Sequence, residues 1–360
     1  MILQSPPPNR VPNRDNDPKR RSGSVSREPR ATIKVAQFGL GPIGVESLRL
    51  LSEKSWAKIL GGVDIDPAKT GRSMAELGAG DQFEKQKCYP SFQQLCDSER
   101  PDVVIHTAGS KIGPAIEQII PMASAGVSVV SSCEELLFPY HLDPAAAVEL
   151  DRVCKAHGAR VVGTGVNPGF VMDLLPVCLT GVSRSVEEIH IQRVVNASTR
   201  RMPLQKKIGS GMAPEEFRLL FTMGKAGHAG FQESAARVAH CMGWEIDSIT
   251  ETCDPVVAER DILTKYFHVK RGQTCGLHQQ ARVTVNGRAR ITMDLKMYLD
   301  ASDPHDAVQV VGDPALNLRI AGGVAGDDAT VAALANAVPR VMMVSPGLRL
   351  MTDLPVPSFA

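Results

Sequence analysis

Two groups of residues in this 360-residue sequence have types and spacing suited to chemistry. The first is Gly39-Leu40-Gly41-Pro42-Ile43-Gly44, a G-x-G-x-x-G run. Gly39 allows a tight turn, Gly41 lets backbone approach a pyrophosphate, and Gly44 permits close helix–sheet packing. Pro42 and Ile43 open a helix whose unpaired N–H groups then face the phosphates. The second group is Glu134-Glu135, directly after Ser131-Ser132-Cys133. A carboxylate there can take a proton from ammonium and hold a cationic amine or iminium. Taken alone, two glutamates after a strand more often begin a solvated helix.

The elements around these residues must place them. Residues 33–38 read as a strand leading into the glycines, and a helix carrying Val45, Leu48 and Leu51 follows. Further strands are expected at 59–65, 102–107, 127–132 and 161–164. Helices are expected at 114–125 and 144–157, the latter capped by Asp143 and closed at Gly158. This alternation predicts an α/β, Rossmann-type parallel sheet, as a dinucleotide-binding domain over residues 31–166. Asp64 lies about 20 residues past the turn, where an acid accepts hydrogen bonds from the adenosine ribose. Its charge favours NAD, whereas Lys69 and Arg72 could pair with a 2′-phosphate, so the expected cofactor is NAD or NADP. Thr107, Ala108 and Gly109 close a strand at the sheet's carboxyl edge and are expected to line the nicotinamide half.

After Asn167-Pro168-Gly169 the rhythm changes. Helices are expected at 171–179, 214–223 and 232–242, with a strand at 189–194. Two alternating runs, 281–285 and 288–299, flank Asn286-Gly287, the preferred type I′ hairpin pair. The second half is therefore expected to be an α+β domain with a mostly antiparallel sheet over 167–324, serving substrate binding and dimerisation. The segment 325–360 is expected to pack back on the first domain, with a helix at 327–338. Substrate-pocket candidates are Asn167, Phe170, Leu175, Arg193, His228 and His278. Phe170 could form an apolar wall, and His228 sits between two glycine hinges. For each of them a turn, core or strand role competes.

Composition narrows the function classes. A 43% hydrophobic and 22% charged chain suits a globular enzyme. A net charge of +1 and 4% aromatics give no field or stacking platform for nucleic acid or an anionic membrane. No apolar run is long enough to span a bilayer. Residues 1–30, with Pro6-Pro7-Pro8 and many arginines, are expected to be a disordered tail rather than a leader. Eight scattered cysteines without a C-x-x-C pair point to reduced thiols, a cytoplasmic location and no metal framework.

Several ordered motifs together resemble the 2,4-diaminopentanoate dehydrogenase and native amine dehydrogenase family. They are the glycine turn, Val63-Asp64-Ile65-Asp66-Pro67, Cys133-Glu134-Glu135-Leu136 and Gly165-Val166-Asn167-Pro168-Gly169-Phe170. Gly322 to Thr330, Pro346-Gly347 and Met351 to Pro355 extend the match, which runs from about residue 32 to 355. The fold is similar to that of dihydrodipicolinate reductase, but the histidine pair, lysine and P-S-G-T signature of that enzyme have no counterpart. The resemblance implies a homodimer and reversible NAD(P)-dependent deamination of a primary amine, or amination of an aldehyde or ketone with ammonia. It also implies a glutamate acid/base at the strand end, which maps to Glu134 or Glu135. Glu135 is preferred, because Glu134 could cap the following helix. The competing readings are another reductase on the same scaffold and a non-catalytic NAD(P)-sensing protein.

Overall fold

The structure, a computed structural model, describes residues 31–360; the tail expected at 1–30 lies outside the described residues. Strand β1 (Ile33–Phe38) runs through the glycine turn into α1 (Pro42–Ser52), which has Gly41 as its N-cap and Pro42 at its first position. Then follow β2 (Ala57–Val63), β3 (Cys88–Tyr89), α2 (Phe92–Ser98), β4 (Val103–His106), α3 (Ile112–Ser124) and β5 (Ser128–Ser131). A 3-10 turn at Glu134–Leu137 leads to α4 (Pro139–Leu142), α5 (Pro144–His157) and β6 (Arg160–Gly163). Helix α5 is bounded as its residues dictate. The Asp143 side chain accepts from the Ala146 N–H, and Gly158 closes the helix in the left-handed region.

The second half contains α6 (Leu174–Thr180), β7 (Ser185–Asn196), α7 (Met202–Lys207), α8 (Pro214–Thr222) and α9 (Phe231–Cys241). Next come β8 (Ser248–Val257), the short pair β9 (Ile262–Leu263) and β10 (His268–Val269), then β11 (Thr274–Val285) and β12 (Arg288–Tyr298). Asn286 and Gly287 join β11 to β12, both with positive φ (51° and 71°), as a type I′ turn requires. Strands β13 (His305–Asp313) and β14 (Leu316–Ala321) precede α10 (Gly326–Val341) and β15 (Gly347–Arg349).

Seven strands form a sheet in the order β15-β6-β5-β4-β1-β2-β3, and every pairing in it is parallel. Its central strands β4 and β5 are buried along their whole length, because helices cover both faces. The second sheet has the order β14-β13-β7-β12-β11-β8 and is antiparallel except between β7 and β12. It carries one buried face, packed against α9 and α6, so its strands alternate in burial. Helix α10 returns to the parallel sheet, where Leu334, Ala335 and Val338 share a core with Leu48 and Leu51 of α1.

Some elements differ from expectation for physical reasons. The helix expected at 171 starts at Leu174, because the Asp173 carboxylate takes the Leu174 N–H and delays helix entry. Strand β8 was not picked out from its sequence. It is an edge strand with Pro255 inside it, and its exposed residues break the apolar alternation.

Candidate active site

The parallel sheet reverses its winding between β1 and β4, the position where such sheets bind ligands beyond their carboxyl ends. The glycine turn and Thr107–Gly109 meet there. Thr107 Oγ1 donates to the Gly39 carbonyl at 2.9 Å, while Gln37 Nε2 donates to Thr107 Oγ1 at 2.9 Å and to the Gly39 carbonyl at 3.1 Å. Gly39 has φ of +87°, and a Cβ on Gly44 would stand 2.0 Å from the Gly39 carbonyl oxygen. A Cβ on Gly41 would meet nothing within 4 Å, which leaves open space above the turn. Helix α1 has no side-chain cap, so its first N–H groups face that space unpaired. This arrangement fits a dinucleotide pyrophosphate.

Asp64 is tied to the turn through its side chain. Its carboxylate accepts from the N–H groups of Leu40 (2.8 Å) and Asp66 (2.9 Å) and from Lys69 Nζ (2.9 Å). Against the effect of burial, these bonds hold its carboxyl below the usual range. Lys69 is thus engaged with Asp64, and the Arg72 guanidinium donates to the Glu76 carbonyl on an exposed turn.

Between the two sheets lies a cavity of about 380 Å³, bordered by Ile43, Thr107, Gly109, Glu134, Asn167 and His228. Glu134 is the carboxylate that reaches it from the parallel sheet. Burial pushes its carboxyl above the ordinary glutamate range, against the pull of its own backbone N–H, the Lys207 charge and Ser110. Glu135, the residue preferred from the sequence, does not border this cavity. Glu135 turns away, with one oxygen on Lys111 Nζ at 2.6 Å and the other on the Ile112 N–H at 2.8 Å. Successive residues of a 3-10 turn point in different directions, and the start of α3 takes the second glutamate.

Two networks hold the opposite wall. His228 Nε2 donates to the Asn167 carbonyl at 2.9 Å, which fixes the tautomer as Nε2–H. Burial, with the Lys207 charge adding to it, pulls its imidazole down to about 4, so the ring is neutral near pH 7. Asp173 accepts from the Gly169 N–H (2.8 Å), Ser234 Oγ (2.8 Å) and Arg237 Nη1 (2.9 Å), and both members of this ion pair are fully buried. The pair ties the Asn167–Gly169 turn to α9. The Asn167 side-chain amide and the Thr164 hydroxyl have no hydrogen-bond partner where these residues border the cavity.

The other sequence candidates divide. Arg193 borders the cavity, but its guanidinium is buried and committed to Asp306 (2.6 Å) and the Val324 carbonyl (2.8 Å), so it braces β7. Ala108 lies in the loop between Thr107 and Gly109. Three of the sequence candidates do not border this cavity. Phe170 faces a separate, mostly apolar cavity beside α10, because the Gly169 turn directs it there. Leu175 is half-buried on α6 and borders neither cavity. His278 lies on the face of β11 opposite Leu277 and pairs with Asp294 at 3.0 Å, since neighbouring strand residues face opposite ways.

Sequence reasoning missed the cationic side of the cavity. Arg200 and Arg201 both bind Asp327 at the start of α10, at 2.8 and 2.9 Å. Lys207, at the end of α7, borders the cavity and has no carboxylate within 4.0 Å among the described residues. Basic doublets at 200–201 and 206–207 were the available signal, but such doublets usually mark a solvated face.

Residues 170–360 match the model of the 2,4-diaminopentanoate dehydrogenase C-terminal domain. The chain is 30% identical over 332 residues to a 2,4-diaminopentanoate dehydrogenase of Acetoanaerobium sticklandii, covering 90% of this chain and 94% of that protein. It is 23% identical to an amine dehydrogenase of Streptomyces virginiae, over 90% of this chain and 96% of that one. The solved structure of an amine dehydrogenase from Mycobacterium smegmatis shares the fold, with a TM-score of 0.81 at 20% identity over 92% of this chain and 98% of that one. With a matching family model over more than half its length and a 30% identical relative along nearly all of it, the chain belongs to the 2,4-diaminopentanoate dehydrogenase family.

Proposed function

We propose that this protein is an NAD(P)-dependent amine dehydrogenase, interconverting a primary amine with an aldehyde or ketone and ammonia. The observation that carries the reading is Glu134, a carboxyl raised by burial and set in the cavity beyond the glycine turn. Bound NAD(P) supplies or accepts the hydride. In the amination direction, Glu134 takes a proton from ammonium and frees the nitrogen lone pair for attack on the carbonyl carbon. Its proton then passes to the hydroxyl of the resulting carbinolamine, which leaves as water. The iminium cation that remains faces the ionised Glu134, and hydride addition neutralises it to the amine. His228 stays neutral and holds the Asn167 loop through its Nε2–H.

The unpaired thiols of all eight cysteines suit the reducing cytoplasm. Among the described residues, no helix is long and apolar enough to cross a membrane. A homodimer through the open face of the second sheet belongs to the same reading, and sedimentation velocity tests it.

A panel of aldehydes and ketones with ammonium, followed by NADH and NADPH consumption, tests the function. Glu134→Gln should lower kcat by about 10²–10⁴-fold, the usual contribution of a positioned acid/base. Glu135→Gln should retain turnover. Full activity in Glu134→Gln would remove the mechanism, and absence of ammonium-dependent turnover in the native chain would remove the function.

A further inference from the structure

A second cavity, of about 420 Å³, adjoins the first. Ser110, Lys207, Gly227 and His228 border both, so they form a shared wall. The start of α9 closes the gap to the active site, since a Cβ on Gly230 would stand 3.0 Å from Glu134 Cβ. Three carboxylates line this second space: Glu135, Glu233 and Glu251. Two of them are engaged. Glu135 binds Lys111 and the Ile112 N–H, while Glu251 accepts from Gln232 Nε2 at 2.6 Å and from Gln279 Nε2.

Glu233 is different. It lies in the first turn of α9 and is only 5% exposed, yet no other described residue gives its carboxylate a hydrogen bond or an ion pair. A carboxylate in so buried a residue, bonded only by its own backbone N–H, is costly to ionise, and a cation bound in the cavity would offset that cost. Burial and the neighbouring Glu135 and Glu251 push its carboxyl up to about 7, with Lys111 acting in the opposite direction. The lysines of this cavity, Lys111, Lys207 and Lys225, are all exposed, and Lys111 already serves Glu135. Among the described residues no three acidic, His or Cys groups converge closely enough to hold a metal ion. Separated acceptors suit a small cation that hydrogen-bonds in several directions instead.

We propose that the Glu233 cavity is a binding site for ammonium, which it holds before delivery across the Ser110–His228 wall to Glu134. The proposal rests on the amine dehydrogenase reading above and adds the place where the nitrogen source enters. It involves binding only; the proton leaves ammonium at Glu134.

The test is Glu233→Gln, with steady-state amination and ¹⁵N line broadening of ¹⁵N-ammonium in the presence of the NAD(P)H-loaded protein, at constant ionic strength in potassium. Loss of the charge should raise the ammonium KM by about tenfold or more, and abolish the broadening, with the carbonyl KM unchanged. Lys225→Glu, an exposed change at the same cavity, should lower the ammonium KM by about two- to fivefold, and it decides the matter even if Glu233→Gln does not fold. Unchanged ammonium KM and broadening overturn the proposal, as does an effect on the carbonyl or amine KM in place of ammonium. Glu233-dependent broadening without any ammonium-dependent turnover would keep the site and reject the proposed function.

Discussion

Gln279 holds both backbone groups of His228. Its Oε1 accepts from the His228 N–H at 2.6 Å, and its Nε2 donates to the His228 carbonyl at 3.1 Å. The same Nε2 also donates to Glu251, so one buried amide on β11 links the two cavities. Gln279→Ala leaves the buried His228 N–H and the Glu251 carboxylate short of partners. The expected loss is about 1–3 kcal/mol in urea unfolding, with reduced kcat because the Asn167 loop is less well held. Stability equal to the native chain would show that water replaces the amide at no cost.

His228 makes stability depend on pH in a defined window. Its imidazole ionises near 4 when folded, against an ordinary value of 6.5, so the unfolded chain binds the proton first. The neutral ring therefore costs nothing above about pH 7, and stability falls progressively as pH drops from about 6.5 to 4. Below that range its contribution is constant. Replacing His228 with Gln should flatten this part of the curve, read as urea midpoint against pH. A slope identical to the native chain's would assign the effect to other groups.

Gly44→Ala should abolish dinucleotide binding more completely than it destabilises the fold. The added Cβ meets the Gly39 carbonyl oxygen at 2.0 Å, and neither backbone segment can yield without opening the turn. Quenching of protein fluorescence by NADH or NADPH measures the binding, and thermal unfolding the remainder. Native affinity in the variant would exclude this turn as the pyrophosphate cradle.

Asp173→Ala strands the fully buried Arg237 guanidinium and frees the Gly169 N–H. Breaking such a pair from one side costs about 3–5 kcal/mol. Asp173→Ala with Arg237→Met should recover part of the loss, because the second change removes the unpaired charge. A double variant no better than the single one would mean the turn contacts, and not the ion pair, dominate.

The local features of this protein were legible in its residues. Strand, glycine turn and helix at 33–52 follow from short-range conformational rules, as do the Asp143 and Gly158 limits of α5 and the Asn286-Gly287 hairpin. The family motifs likewise sit in an ordered string along the chain. What the sequence left open was direction. Whether Glu134 or Glu135 faces the cavity depends on a 3-10 turn whose second carboxylate is taken by Lys111 and α3, elements more than twenty residues away. Which face of its sheet His278 occupies was not readable, Glu233 carried no signal, and Lys207 carried only a basic doublet of the kind that usually marks a solvated face. Side-chain facing and partner availability arise from packing between distant segments, and neither periodicity nor spacing encodes them.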